Sequence, residues 1–275
     1  VKLKIDEFLA AWGGSSWARC VGQVRVEGAN VPPELDVYRP TAQGVDLLWN
    51  SGPNEQFKAM VRQYSNQLDS SGGRTADFLL LQEADTVPQS DLWLETIATT
   101  LAGAPSFAVL GSEYVGHNWN AFMDQIPLPL QRHINGNAMY NVNHPSFRAV
   151  FDILGSEIVP TGGVSSFDVR FAEILIDMIG VESASDVRPA LDALGYKLTA
   201  VVANYAGTLR ALPKAPGVAA RPGDNAALVH GAKDYSNWIV LPASASNSIG
   251  LVISDWGVGD VVNQTDGDWQ GDLDP

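Results

Sequence analysis

Two carboxylates, Glu83 and Asp85, directly follow the most hydrophobic run in the chain, Phe78-Leu79-Leu80-Leu81. In a locally extended segment, residues two apart project to the same side. In open α/β sheets, ligands sit beyond the carboxyl ends of strands. Two carboxylates converging there repel one another unless a cation or a proton lies between them. Hard oxygen donors suit Mn²⁺ or Mg²⁺, which would also bridge a diphosphate and neutralise a leaving group. An acid-x-acid pattern alone equally describes a strand that ends in a solvated acidic turn.

Other stretches carry residue types able to hold a sugar or a phosphate. Gly52-Pro53-Asn54 opens a helical pattern, where backbone N–H groups and the helix dipole favour an anion or a hydroxyl. An ordinary proline-bearing helix start has the same sequence. His133-Ile134-Asn135-Gly136-Asn137 is dense in side chains that hydrogen-bond hydroxyls, with Gly136 allowing close approach of the backbone. Asp168 precedes a helical stripe, as a base or as a helix cap. Glu173, on the same predicted helix, is the reserve base. Among eight tryptophans, Trp119 lies in the polar stretch Gly116–Asn120 and is the one expected to stack on a sugar. Asn204-Tyr205-Ala206-Gly207-Thr208 follows a strand, and the sequence leaves its place at the cleft open.

The elements that must position these residues alternate along the chain. Ile5, Phe8, Leu9 and Trp12 mark a first helix, and Val21 to Val26 alternates as a strand does. Phe57, Met60, Val61 and Tyr64 give the helix after Ser51 an apolar face. Phe78–Leu81 reads as a strand buried on both faces. Helices are predicted at Leu94–Leu101, Phe147–Leu154 and Phe171–Met178, and strands at Phe107–Leu110 and Leu198–Val202. Strands separated by helical patterns of about ten to fifteen residues predict an α/β fold with a mainly parallel sheet flanked by helices. Residues 1–260 read as one domain and 261–275 as an acidic tail.

Bulk properties narrow the function. The 275 residues are 45% hydrophobic, enough for a large core. No apolar run approaches the roughly 18 residues of a membrane span, and no secretory signal is expected at the N-terminus. The single cysteine, Cys20, excludes an internal disulfide and a cysteine metal site. With 31 acids against 17 bases the formal charge is −14, which argues against nucleic acid as a partner. An anionic substrate would need a local cation to enter so acidic a surface.

The string from Phe78 to Leu94, an apolar strand, Glu-x-Asp, Thr86-Val87-Pro88 and a Trp93-Leu94 helix, resembles the DxD region of GT-A glycosyltransferases. Gly52-Pro53-Asn54 is similar to a turn near the donor in such enzymes. His133–Tyr140 resembles an H-x-NGNA-x-Y segment of algal and viral sugar transferases, and His230-Gly231-Ala232-Lys233 resembles a late His-Gly-x-Lys segment. Together these span roughly residues 50 to 233.

The resemblance implies a GT-A, Rossmann-like domain with a divalent metal held by Glu83, Asp85 and His230. Whether Glu83 meets the metal directly or through ribose or water stays open. Gly52, Asn54 and Lys233 would hold a UDP- or GDP-type sugar donor. Trp119, His133, Asn135 and Asn137 would hold a carbohydrate or glycoprotein acceptor, with Asp168 or Glu173 as base in an inverting transfer. The first strand, Val1–Ile5, is a poor version of the family's, so it is degenerate or the chain starts after it. Such a domain is expected to be soluble, cytoplasmic or Golgi-associated as part of a longer chain. Two alternatives remain: a non-catalytic carbohydrate-binding protein on the same scaffold, and a sugar nucleotidyltransferase. The second lacks its usual Gly-rich basic loop here.

Overall fold

A computed structural model describes residues 29–36, 51–65, 77–83, 86–89, 92–113, 126–157, 166–180, 184–204 and 226–230. The helix expected at Ile5–Trp12, the strands at Val1–Ile5 and Val21–Val26, Cys20 and the acidic tail lie outside them. Among the described residues there are seven short strands and five α-helices. The strands are β1 (Phe78–Leu80), β2 (Thr86–Pro88), β3 (Val109–Gly111), β4 (Met139–Asn141), β5 (Tyr196–Leu198), β6 (Val202–Asn204) and β7 (Leu228–His230). The helices are α1 (Ser51–Ser65), α2 (Trp93–Gly103), α3 (Pro145–Ser156), α4 (Phe167–Ile179) and α5 (Ala184–Ala193). No described helix is long and apolar enough to cross a membrane.

The strands form two sheets, ordered β1-β4-β3-β5 and β2-β7-β6. The architecture is mixed α/β, and the expectation of a mainly parallel sheet is corrected. Three of the five strand pairs are antiparallel, and only β3–β5 and β6–β7 are parallel. In the first sheet the reason is β4, which returns beside β3 and runs against both β3 and β1, and in the second β2 runs against β7. A parallel neighbour would have needed a crossover, usually helical, between them.

Period-two alternation divides the first sheet cleanly. Leu79, Tyr140, Val109 and Tyr196 are cross-strand neighbours and belong to one core cluster with residues of α1, α3, α4 and α5. Leu80, Met139 and Leu110 form the next row and face a second cluster with Ile97, Val202 and Leu228. The second cluster therefore joins the two sheets. Phe78 departs from the expected full burial at 40% exposure, because β1 has only β4 beside it among the described strands. It stacks instead on Phe107, with ring centroids 5.5 Å apart.

Two passages carry the chain from the first sheet to the second. One runs from β1 to β2, and the other from β5 to β6. The predicted continuous strand Leu198–Val202 is broken there, because the Val201 N–H turns onto the Thr199 hydroxyl rather than into a ladder.

Helix ends follow ordinary chemistry. The Ser146 N–H donates to the His144 ring, with Pro145 in the first turn of α3, and Gly180 closes α4 at φ 66°. Helix α5 has no counterpart in the sequence reading; Val187 and Leu191, four apart, are its buried stripe.

Tyr140 is the hinge between core and loop. Its ring lies among Phe57, Phe147 and Phe171, and its hydroxyl donates to the Gly136 carbonyl at 2.8 Å. Tyr140→Phe keeps the packing and removes that donor. Loss of about 1–3 kcal/mol is expected in urea unfolding, the cost of an unmatched buried carbonyl.

Candidate functional site

The carboxyl ends of β6 and β7 carry polar side chains on otherwise apolar strands. Thr86, His230 and Asn204 are cross-strand partners and form one buried row across the second sheet. The Glu83 carboxylate reaches this row from the β1–β2 passage. Its Oε2 lies 2.9 Å from Nε2 of His230, with the His230 side chain 8% exposed and that of Glu83 28%.

A closed circuit of hydrogen bonds holds the pair. Asn204 Oδ1 faces His230 Nδ1 at 3.1 Å, while the Asn204 amide nitrogen donates to the Ser112 carbonyl at 2.8 Å and hydroxyl at 2.9 Å. The Ser112 carbonyl also accepts the Asn135 N–H. Asn135 Oδ1 accepts both the backbone and the side-chain N–H of Asn137. Asn137 Oδ1 in turn accepts the Glu83 N–H at 2.7 Å and the Thr86 hydroxyl at 2.9 Å. The Thr86 N–H donates to the Glu83 carbonyl at 3.0 Å, so the passage is tied at both of its ends.

The sequence-predicted residues fall into three groups. Glu83 and His230, 147 positions apart in the chain, are brought together. Asp85, Trp119 and Lys233 lie outside the described residues.

The remainder have partners within the fold. Asn54, in the first turn of α1 with the buried Gly52, accepts the Phe167 N–H at 2.7 Å and so satisfies a donor at the start of α4. Asn137 is fully buried, and its amide works within the circuit rather than at a surface where a sugar would lie. The close approach that Gly136 permits is to the Phe167 ring, whose nearest edge a side chain there would strike. Glu173 pairs with Arg170 at 2.6 Å, and Arg170 also grips Glu157, whose hydrogen bonds raise the guanidinium pKa further.

Asp168 is buried in the first turn of α4. Its carboxylate accepts from the Gly136 and Val169 N–H groups at 2.9 Å each and from the Ser166 hydroxyl. His133 donates through Nδ1 to the Leu130 carbonyl at 2.8 Å and holds Nε2 3.6 Å from Asp168, an ion-pair separation. Burial pulls the His133 pKa down; Asp168, the Leu130 carbonyl and Glu113 outweigh it and leave it raised. Burial likewise opposes ionisation of Asp168, but His133, Ser166 and the Val169 N–H leave its pKa lowered. The pair anchors the 133–137 loop onto α4.

Ser112 has no place among the sequence-predicted residues, Thr86 figures there only in the turn after the acidic pair, and the sequence leaves Asn204 open. The signal available was a shared one: Val109-Leu110-Gly111, Val202-Ala203 and Leu228-Val229 each run straight into a polar residue. Among the described residues no three His, Cys, Asp or Glu side chains gather as a metal shell. Comparison with known proteins finds no matching family model, no matching curated protein and no matching solved structure.

The His133–Asp168 pair makes stability depend on pH. A raised histidine pKa contributes stability that is complete below the ordinary value of 6.5 and lost as pH rises through the folded value. A lowered carboxylate pKa contributes above 3.8 and is lost as pH falls through its folded value. The gap in melting temperature between wild type and His133→Gln is therefore expected to be widest between these two values and to narrow towards pH 9. A gap that stays constant across the range would refute the ion pair.

Proposed function

We propose that this chain is a divalent-metal-dependent glycosyltransferase acting on a nucleoside-diphosphate sugar, with Glu83 and His230 as two of its metal ligands. The observation that carries the reading is their 2.9 Å approach at the carboxyl ends of β6 and β7. Two donors bound side by side at about 2.1 Å to an octahedral cation would stand about 3.0 Å apart, so their spacing fits a shared ion. The donor set, one imidazole and one carboxylate, suits Mn²⁺ with carboxylate and water completing the shell. Asp85, one residue before Thr86, is the third ligand in this proposal, and Lys233, three residues past His230, meets the diphosphate.

In this reading the metal's contribution is to neutralise charge on the departing diphosphate. The chain's own residues hold the ligands and the donor in place. A GT-A fold, an inverting outcome and acceptor contacts from Trp119, His133 and Asn135 belong to the same proposal. Asp168 acts as base only where a substrate hydroxyl displaces one of its present donors.

That occupancy of Asp168 and the pairing of Glu173 with Arg170 favour a second reading, carbohydrate binding without transfer. Thermal shift with nucleotide sugars separates the possibilities. UDP- or GDP-sugar together with Mn²⁺ is expected to raise the melting temperature, and the double variant Glu83→Ala/Asp85→Ala to abolish the gain. Unchanged nucleotide binding in that variant would sink the metal assignment. Stabilisation without any donor hydrolysis would select the binding protein.

A further inference from the structure

We infer that Asn204 is a positioning residue that fixes which ring nitrogen of His230 faces Glu83, an inference that rests on reading that pair as cation ligands. The argument is one of proton inventory. The Ser112 carbonyl has no proton to give, so the Asn204 atom 2.8 Å from it is the amide nitrogen. The amide oxygen is then the atom turned to His230 Nδ1 at 3.1 Å. That oxygen has no proton either, so Nδ1 carries one. Nε2 is the nitrogen presented to Glu83, and at 2.9 Å from the carboxylate oxygen a proton lies between the two, the one a cation would replace.

Register and burial make this arrangement stiff. Asn204 and His230 are cross-strand partners on parallel strands, so their side chains stand on the same face. Asn204 is 3% exposed and is anchored through three hydrogen bonds to Ser112, one of them from its own backbone N–H. Ser112 also receives the Asn135 N–H, and through Asn135 and Asn137 it is linked to the Glu83 backbone. One residue at the end of β3 therefore references both members of the pair. An imidazole ligand whose second nitrogen is tied to a fixed acceptor keeps its Nδ1 proton and its orientation before any cation arrives, leaving Nε2 as the nitrogen that exchanges its proton for the cation.

The test uses the full chain labelled with ¹⁵N-histidine. It has four histidines, and His230→Gln assigns the signal of interest. A slowly exchanging Nδ1–H at His230 is expected both without cation and with Zn²⁺ as a diamagnetic probe. Zn²⁺ should move the Nε2 resonance and leave the Nδ1 proton in place. Asn204→Leu is expected to lose the protected proton and to weaken Mn²⁺ and Zn²⁺ binding roughly 10–100-fold. Asn204→Asp, which keeps the acceptor oxygen, should restore the proton. Asn204→Ala gives the same loss where leucine disturbs packing. Retention of both the Nδ1–H and the affinity in Asn204→Leu and Asn204→Ala would overturn the inference, as would a wild-type ring protonated at Nε2 alone. A protected Nδ1–H in a wild type that binds neither cation would sustain the positioning role and remove the metal reading.

Discussion

The arrangement at the end of β6 and β7 depends on one buried acceptor, the side-chain oxygen of Asn137. It receives the Glu83 N–H and the Thr86 hydroxyl, the two ends of the passage by which the chain leaves the first sheet for the second. Each such bond adds only about 0.5–1.5 kcal/mol net, but an unmatched buried partner costs about 1–3 kcal/mol. Asn137 is completely enclosed, so water is not at hand to replace either donor. The penalty, more than the gain, makes the geometry of that passage single-valued. Glu83 points at His230 because the alternative positions of its backbone would strand polar groups in the core.

The rows of the two sheets explain why polar residues converge where they do. Leu79, Tyr140, Val109 and Tyr196 turn to one core, and Leu80, Met139 and Leu110 to the other. Ser112 follows β3, and Asn204 and His230 close β6 and β7, so polar residues stand where these apolar strands end. The sequence reading caught the long-period features for this reason. Helices α1, α2, α3 and α4 were visible as apolar stripes, and the hydrophobic run at β1 marked the site's first carboxylate.

What was not legible was pairing. Strand direction depends on contacts between segments distant in sequence, and three-residue strands carry too short a pattern to specify a partner. The reversal of β4 and the break between Leu198 and Val202 are both of this kind. For the same reason the sequence offers Asn137 as a side chain for sugar hydroxyls. Its side chain is amphoteric in hydrogen bonding, and only the fold decides whether its partners are a ligand or Glu83 and Thr86. His230 was found through Gly231 and Lys233 beside it; Asn204 and Ser112, which hold its ring, have no spacing in sequence that links them to it.

The 133–137 loop ties these observations together, because it is bonded on two sides at once. On one side Asp168 takes the Gly136 N–H and faces His133, the Tyr140 hydroxyl takes the Gly136 carbonyl, and the Ile134 N–H meets the Tyr196 hydroxyl. Burial raises the pKa of both tyrosines, which keeps the Tyr140 hydroxyl a neutral donor and the Tyr196 hydroxyl a neutral acceptor. On the other side Asn135 and Asn137 reach Ser112, Glu83 and Thr86. The loop is thus held from two sides: the helical core fixes the loop, and the loop fixes the carboxylate. The Glu83–His230 pair is therefore oriented by groups whose own positions are settled by packing, the condition under which a site keeps its geometry. Conversely, repulsion or dehydration at Glu83 has a short path to the core through Asn137. For a chain of net charge −14, any further carboxylate near Glu83 adds repulsion, and that path carries the cost to the core.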